Sequence, residues 1–346
     1  MLVNHTSRSY LVKAIQMIEQ GRPEVLRLVD LPDPVPGPGQ VLISVEAAAV
    51  NFSDVMRRRG DVYPIPTRPP FVPGAEVAGT VAAVGEGVDN FEIGTPVFGI
   101  VGADASGGYA ELALAYAASL IRVPAGLPLD AAACVVVSGL AAAVMLGDAI
   151  RLQPGETVFV PAAAGGVGSY AIQIAKILGA GKIIGGASTP SKRGIALKLG
   201  ADHIVDYTAP DWTDEVLELT DGRGVDVALE MRGPASLNDS LKILAPFGRL
   251  VVYGSVSGTV HGLDPVALEP LLYDPAPSQV LTGFNLGVWF EHRLPEVGAA
   301  LERLVGWITT GKFVISEVRA LPLSEAAEAH RMLETGTTTG KLVLKP

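Results

Sequence analysis

Thr157-Val-Phe-Val160 is an apolar, strand-like run. It leads into Pro161-Ala-Ala-Ala-Gly-Gly-Val-Gly168 and then into a helix-like segment, Ser169-Tyr-Ala-Ile-Gln-Ile-Ala-Lys-Ile-Leu178. A strand that enters a turn almost free of side chains, and leaves it as a helix, lets backbone N–H groups approach an anion at the positive end of a helix dipole. The pyrophosphate of a dinucleotide sits on such a turn. Against G-x-G-x-x-G, Ala163 occupies the first glycine position, while Gly165 and Gly168 hold the second and third. The backbone of Ala164, Gly165, Gly166, Val167 and Gly168 is therefore the candidate phosphate cradle. Pro161 is an oddity at the end of a central strand, because it removes a ladder donor.

Strands and helices alternate from Gly155 onward, through Lys182–Ala187, Ser191–Leu199, His203–Val205, Trp212–Leu219, Val225–Leu229 and Arg249–Tyr253. That alternation predicts a doubly wound parallel sheet with helices on both faces. Residues 12–120 read differently, as short strands punctuated by Gly and Pro, among them Val41–Val45, Ala75–Val84, Thr95–Gly99 and Tyr109–Ala113. Such spacing predicts a small β-barrel-like domain. With 346 residues, 49% of them hydrophobic, the chain can fill two cores. Val297, Leu301, Leu304, Val305 and Ile308 fall at helical spacing before Gly311, and the segments after them read as a return to the first domain.

Acidic residues outnumber basic ones 36 to 26, which argues against nucleic acid as the main partner. The dense basic cluster Arg57-Arg58-Arg59 reads as a solvated helix face near a ligand entrance, with an RNA-binding patch as the alternative. The uncharged run Ala131–Gly147 is short for a membrane span and is broken by Ser138-Gly139, so it reads as buried core. The first ten residues lack the apolar stretch of a secretory signal, and a cytoplasmic location is expected. The single cysteine, Cys134, excludes internal disulfides and a four-cysteine zinc lobe.

An NAD enzyme carries an Asp or Glu roughly 20 residues beyond the last glycine, on the adenosine ribose. Here the strand ends in Gly186-Ala-Ser188, with Lys192 and Arg193 just beyond. A hydroxyl and two cations suit a 2′-phosphate, so NADPH is the expected cofactor. Cations in a helix's first turn oppose its dipole, which argues against their being ordinary surface residues.

Several ordered motifs make the chain resemble the zinc-free quinone oxidoreductase (zeta-crystallin-like) group of the medium-chain dehydrogenase/reductase superfamily. They are Asn51-Phe-Ser-Asp54 with Arg58, Gly60 and Tyr63; Pro73-Gly-Ala-Glu-Val-Ala-Gly79; Gly108-Tyr-Ala-Glu111; Ala162–Gly168; Gly200-Ala-Asp202 leading to Tyr207; Tyr253-Gly254; and Gly340-Lys341. The resemblance implies a GroES-like β-barrel catalytic domain from residues 1–132 and 286–346, and a Rossmann dinucleotide-binding domain over 133–285. It implies that Ser188, Lys192 and Tyr207 surround the 2′-phosphate. Tyr253, Gly254, Ser255, Phe284, Asn285 and Leu286 would line the nicotinamide half, and Lys341 would approach the cofactor. It also implies a homodimer paired along Val280–Thr282. Thr95 and Glu230-Met-Arg232 depart from the group's usual pattern, which points to a divergent substrate pocket.

Zinc-dependent relatives place a Cys at the position of Asn51, a His at that of Ala75 and a further Cys near Ser138; these ligands are absent here, and the five histidines (5, 203, 261, 292, 330) show no ligand spacing. Without a Lewis acid nothing stabilises a developing alkoxide, so the substrate must stabilise the added charge itself. Quinones do so by aromatisation, and α,β-unsaturated carbonyls (enones, alkenals, enoyl thioesters) by forming an enolate. The expected activity is NADPH-dependent quinone reduction, with enone reduction as the alternative and a nucleotide-responsive RNA- or protein-binding role as a reading of another class. Asn51 can donate to a carbonyl or ribose hydroxyl. Tyr63 reads either as the acid that protonates an enolate or as a loop tyrosine packed on Pro64 and Pro66, and Asp54 reads as structural, bonding backbone or Arg58, with an acid–base role as the alternative. Loops at 61–70 and 263–277 are expected to shape the substrate pocket.

Overall fold

The computed structural model describes residues 11–256, 278–315 and 317–346. By contacts the chain divides into two compact units, Met1–Val137 with Val318–Thr337 and Leu342–Pro346, and Ser138–Glu317 with Thr338–Lys341.

The first unit begins with an antiparallel pair, β1 (Leu11–Gln16) and β2 (Arg27–Pro32). β3 (Gln40–Val50) alternates buried and half-exposed residues along its first half, as expected of a strand covered on one face. Asn51 caps the short helix α1 (Phe52–Arg59), which stops at Gly60 because φ there is +85°, a conformation that only glycine adopts without strain. Strands β4 (Glu76–Val84), β5 (Pro96–Ile100), β6 (Leu112–Tyr116) and β7 (Leu120–Arg122) follow, and then the short helix α2 (Leu129–Ala132).

The second unit takes up most of α3 (Val136–Val144). It continues as β8 (Thr157–Val160), α4 (Gly166–Ile177), β9 (Lys182–Gly186), α5 (Pro190–Lys198), β10 (His203–Val205), α6 (Trp212–Glu218), β11 (Val225–Glu230), α7 (Pro234–Lys242), β12 (Leu244–Val252) and β13 (Val280–Gly283). Helices α8 (Leu286–His292) and α9 (Leu294–Thr309) close it. The six strands form one sheet in the order β10-β9-β8-β11-β12-β13, with parallel pairing throughout. Numbered within the unit this is 3-2-1-4-5-6, the Rossmann order, whose switch point lies between β8 and β11. Phe159, Ile184, Val205, Trp212, Val216 and Leu250 are part of its core, and the Phe159 and Trp212 rings stack 5.1 Å apart. The run over 131–147 is buried core, as expected.

The chain then returns to the first unit as β14 (Val318–Pro322), α10 (Ala326–Glu334) and β15 (Lys341–Lys345). β14 and β15 join β3, β4, β5, β6 and β7 in a seven-stranded sheet, where Leu342–Leu344 pair antiparallel with Ala48–Val50. Ile43, Val77, Val97, Leu342 and Leu344 belong to the core beneath it.

The return occurs later than expected, because 286–317 group by contacts with the second unit rather than with the first. α9 buries Val297, Ala300 and Leu304. A Cβ at Gly139 would come within 2.5 Å of the Leu304 side chain. Phe313 meets Tyr170 edge-on at 5.0 Å, and the Gln173 amide brackets the Val314 backbone with bonds of 2.8 and 2.9 Å.

Candidate active site

In the second unit the candidate residues converge on one edge. The turn over 161–168 follows β8, Ser188 follows β9, Tyr207 follows β10, Arg232 follows β11, Tyr253–Ser255 follow β12, and Phe284–Leu286 follow β13. All lie beyond the carboxyl ends of the parallel strands, where open α/β sheets bind ligands.

β8 stops at Val160, so Pro161 removes no donor from inside the strand. Ala162 turns the chain with φ +46°, a strained conformation for a residue with a Cβ. Gly165 bonds back to the Ala162 carbonyl at 2.7 Å, and helix α4 starts at Gly166, three residues earlier than expected. A Cβ at Gly168 would lie 2.3 Å from the Ala162 carbonyl oxygen and 3.0 Å from that of Pro161, so the helix can close on the turn only with glycine there. Lys341 lies against the same turn. Its Nζ donates to Ser138 Oγ at 3.1 Å, a Cβ at Gly166 would sit 3.1 Å from its Cδ, and the neighbouring Gly340 N–H donates to the Ala164 carbonyl at 2.8 Å.

Thr189 caps α5 and accepts from the Lys192 N–H. The Lys192 ammonium is half-buried, and that desolvation holds its pKa below the usual lysine value. Arg193, the second cation that the sequence places here, has its guanidinium ion-paired with Asp206 and bonded to the Ala187 carbonyl. The Tyr207 phenol is bonded to Ser188, and burial raises its pKa.

Arg232 is a residue that sequence reasoning misses here; its one sequence signal is the departure from the family pattern at 230–232. Its guanidinium lies over both Tyr207 (4.7 Å to the ring centroid) and Trp212 (5.2 Å), and its Nη1 donates to the Tyr207 carbonyl at 2.9 Å. Beside it, Tyr207, Trp212, Ser236 and Asp239 line a cavity of about 370 Å³. Glu230 is buried and fixes this turn, accepting from Ser236 Oγ (2.8 Å), Ser240 Oγ (2.7 Å) and the backbone N–H groups of Arg232 and Gly233. Burial, with the Glu230 carboxylate next, raises the pKa of Tyr253. Asn285 caps α8, accepting from Gly287 at 2.9 Å, and Phe284 bonds through its N–H to Val252.

The first unit holds Asn51 and Tyr63. Asn51 is buried and donates through Nδ2 to Glu76 Oε1 at 3.0 Å, while Glu76 Oε2 accepts from the Val137 N–H at 2.8 Å. Asp54 accepts from the Asn51 and Gly74 N–H groups, the backbone bonding its structural reading expects, and from Tyr109, while Arg58 pairs elsewhere. Burial raises its pKa to about 6. The Tyr109 hydroxyl also meets His330 Nε2 at 3.2 Å, and burial pushes that imidazole down to about 3. Tyr63 lies in the loop after α1, with its phenol bonded to Ser53.

The three arginines that follow Met56 do not form a solvated face. Arg57 and Arg58 are 2% and 1% exposed, and Arg58 is bonded to the Gly21 carbonyl and ion-paired with Glu334. This removes the RNA-binding patch. His203 and His292 are exposed, and His5, His261 and the 263–277 loop lie outside the described residues. Asn51, Ala75 and Ser138 present an amide, a methyl and a hydroxyl, a set that does not fit catalytic zinc. Among the described residues no three His, Cys, Asp or Glu side chains group to hold a metal, and no helix is long and apolar enough to cross a membrane.

A glycine-turned Rossmann sheet in a chain whose other unit is a seven-stranded β-domain defines the class of dinucleotide-dependent oxidoreductases. The family described as "Alcohol dehydrogenase GroES-like domain" matches residues 37–125, and "Zinc-binding dehydrogenase" matches 166–288. The chain is 37% identical to a quinone oxidoreductase of Pseudomonas aeruginosa, over 97% of this chain and 100% of that protein. It is 34% identical to a 2-haloacrylate reductase of a Burkholderia species, over 97% and 99%. The crystal structure of Escherichia coli quinone oxidoreductase complexed with NADPH superposes with a TM-score of 0.88, at 31% identity, covering 96% of this chain and 100% of that one. The chain belongs to the quinone oxidoreductase family of the medium-chain dehydrogenase/reductase superfamily.

Proposed function

We propose that this protein reduces quinones with NADPH. The observation that carries this reading is the row of candidate residues beyond the carboxyl ends of all six parallel strands, with a glycine cradle at β8 and no carboxylate at the end of β9. NADPH, when bound, supplies the hydride. Ala164–Gly168 offer backbone donors to its pyrophosphate, and Lys341 lies beside that cradle. Ser188, Lys192 and Tyr207 form the 2′-phosphate site, because two hydroxyls and a desolvated ammonium bind a dianion more strongly than they bind a ribose hydroxyl. Tyr253, Gly254, Ser255, Phe284, Asn285 and Leu286 flank the nicotinamide half. Asn51 donates to a substrate carbonyl or ribose hydroxyl, with its amide oriented by Glu76.

Conjugated alkenes bearing a carbonyl are the second substrate class. Two features favour them: a tyrosine clamped by its neighbours in the first unit, and the likeness to a 2-haloacrylate reductase. Tyr63 is then the acid that protonates the enolate. We further propose a cytoplasmic homodimer paired along β13, the outer strand of the sheet, whose Val280 is 48% exposed.

The test is NADPH oxidation with a small naphthoquinone, repeated with NADH. Much slower turnover with NADH supports the assignment, and equal rates refute the phosphate site. In Tyr63→Phe the ratio of enone to quinone turnover should fall; an unchanged ratio removes Tyr63 as proton donor.

A further inference from the structure

Arg57 occupies an unusual position for a cation. It is 2% exposed on α1, yet it reaches three separate pieces of the first unit. Its Nε donates to Thr67 Oγ1 at 3.0 Å. Its Nη1 donates to the carbonyls of Asp104 (2.8 Å) and Ala105 (2.9 Å), and its Nη2 to Asp104 Oδ2 at 3.0 Å. The guanidinium plane also contacts two rings, with Cζ 4.3 Å from the Phe71 centroid and 5.5 Å from that of Tyr63. Four of the five N–H donors are thus in use. Tyr63, Thr67 and Phe71 belong to the segment that follows α1, so one side chain fixes its beginning, middle and end, while Ser53 holds the Tyr63 hydroxyl.

We propose that Arg57 is the positioning residue for Tyr63, holding the phenol in place for proton delivery to a conjugated substrate and stabilising the phenolate that the transfer leaves. The inference rests on the reading of Tyr63 as proton donor. In the step concerned, hydride from NADPH adds two electrons and a hydrogen at the β-carbon, giving NADP⁺ and an enolate. The Tyr63 O–H bond then breaks as a C–H bond forms at the α-carbon, and the phenolate regains a proton from water. A cation beside the ring favours the phenolate over the phenol, and a planar fork bonded to the neighbouring loops prevents the ring from turning away. Burial, with the Asp54 charge next, pushes the Tyr63 phenol up, and Arg57 acts against both. Quinone reduction makes less use of this device, because aromatisation absorbs the added charge and the hydroquinone oxygens take protons from solvent.

The test combines two measurements on Arg57→Met, Arg57→Lys and Tyr63→Phe. The first is the ratio of enone to quinone turnover. The second is the ¹⁹F titration midpoint of 3-fluorotyrosine placed at position 63, read in the cofactor-free protein. Arg57→Met should lower the ratio by about tenfold or more and raise the midpoint. Arg57→Lys, which keeps the charge but not the fork, should leave the midpoint near the wild-type value while the ratio falls. If Arg57→Met leaves ratio and midpoint unchanged while Tyr63→Phe lowers the ratio, Tyr63 is the acid and Arg57 does not position it. If Tyr63→Phe leaves the ratio unchanged, the proton-donor reading fails and the inference fails with it. Should Arg57→Met not fold, Thr67→Val decides: a lower ratio at an unchanged midpoint supports the clamp, and no change in the ratio refutes it.

Discussion

The buried set Asp54–Tyr109–His330 makes a prediction in which two ionisations oppose each other. The Asp54 carboxyl rises from 3.8 to about 6 in the folded protein, so between these values the native state binds a proton that the unfolded chain has lost. This group's contribution is therefore present at low pH and is lost as pH rises, by about 3 kcal/mol at 1.36 kcal/mol per unit. His330 falls from 6.5 to about 3, so between those values the unfolded chain binds a proton that the native state refuses. Its contribution is lost as pH falls, by about 5 kcal/mol on the same scale. From about pH 4 to pH 6 the two slopes are equal and opposite, so in the wild type these two contributions nearly cancel. Asp54→Asn removes one of them, so the variant should gain about 3 kcal/mol relative to wild type as pH rises from 4 to 6. His330→Phe should lose a similar amount over the same range.

Each substitution also breaks a hydrogen bond. An amide in place of the Asp54 carboxylate has one acceptor oxygen for three donors, and a phenyl ring in place of the His330 imidazole leaves Tyr109 with Asp54 alone. That adds an offset of about 1–3 kcal/mol that does not depend on pH. The three tryptophans, at 212, 289 and 307, all belong to the second unit, so their emission is a poor probe. Hydrogen exchange in β3 and β15, followed by mass spectrometry, reads opening of the unit concerned. Parallel pH profiles for wild type and both variants would falsify the opposed-ionisation account.

Gly168→Ala sets a methyl 2.3 Å from a backbone oxygen that cannot rotate away, and should cost about 1–3 kcal/mol of stability as well as most NADPH affinity in a fluorescence titration. Affinity retained at the wild-type level would separate this turn from the cofactor. Lys192→Ala should weaken NADPH by about tenfold or more and leave NADH binding unchanged. Arg193→Ala should have a much smaller effect, because its guanidinium is already paired with Asp206; equal losses in the two variants would refute that division.

The parallel sheet and the glycine turn were legible because they rest on local pattern: alternation of strand and helix, and residues whose conformational range is set by a missing Cβ. Residues that depend on distant partners were not. Arg57-Arg58-Arg59 reads as a solvated run because only Arg59 has its partner nearby, at Asp61, whereas Asp104 and Glu334 lie 47 and 276 positions from Arg57 and Arg58. Arg193 on α5 is ion-paired with Asp206 beyond β10, a pairing that periodicity does not reveal. The departure at Glu230-Met-Arg232 was visible, but its meaning depends on Ser236 and Ser240, which turn the buried carboxylate into the anchor of α7. The late return of the chain to the first unit was hidden for a similar reason: helical spacing shows that α9 has an apolar face, but not that Gly139 receives Leu304.

The two tyrosines to which the proposed function assigns work share one construction, although they sit in different units. Tyr63 has Arg57 against its ring and Ser53 on its hydroxyl, and Tyr207 has Arg232 against its ring and Ser188 on its hydroxyl. In both cases the guanidinium also bonds a backbone carbonyl, at Asp104 and Ala105 in one and at Tyr207 itself in the other. A phenol held only by its hydroxyl can still swing about its side-chain torsions, whereas one with a cation fixed against its ring has its plane set as well. The expected consequences differ with what each ring addresses. Loosening Tyr207 through Arg232→Leu should appear as weaker NADPH binding with little change in the enone to quinone ratio, while loosening Tyr63 through Arg57 should do the reverse. A common loss of both properties in both variants would mean that these arginines support only the fold, and a clean separation would tie each clamp to the chemistry of its own tyrosine.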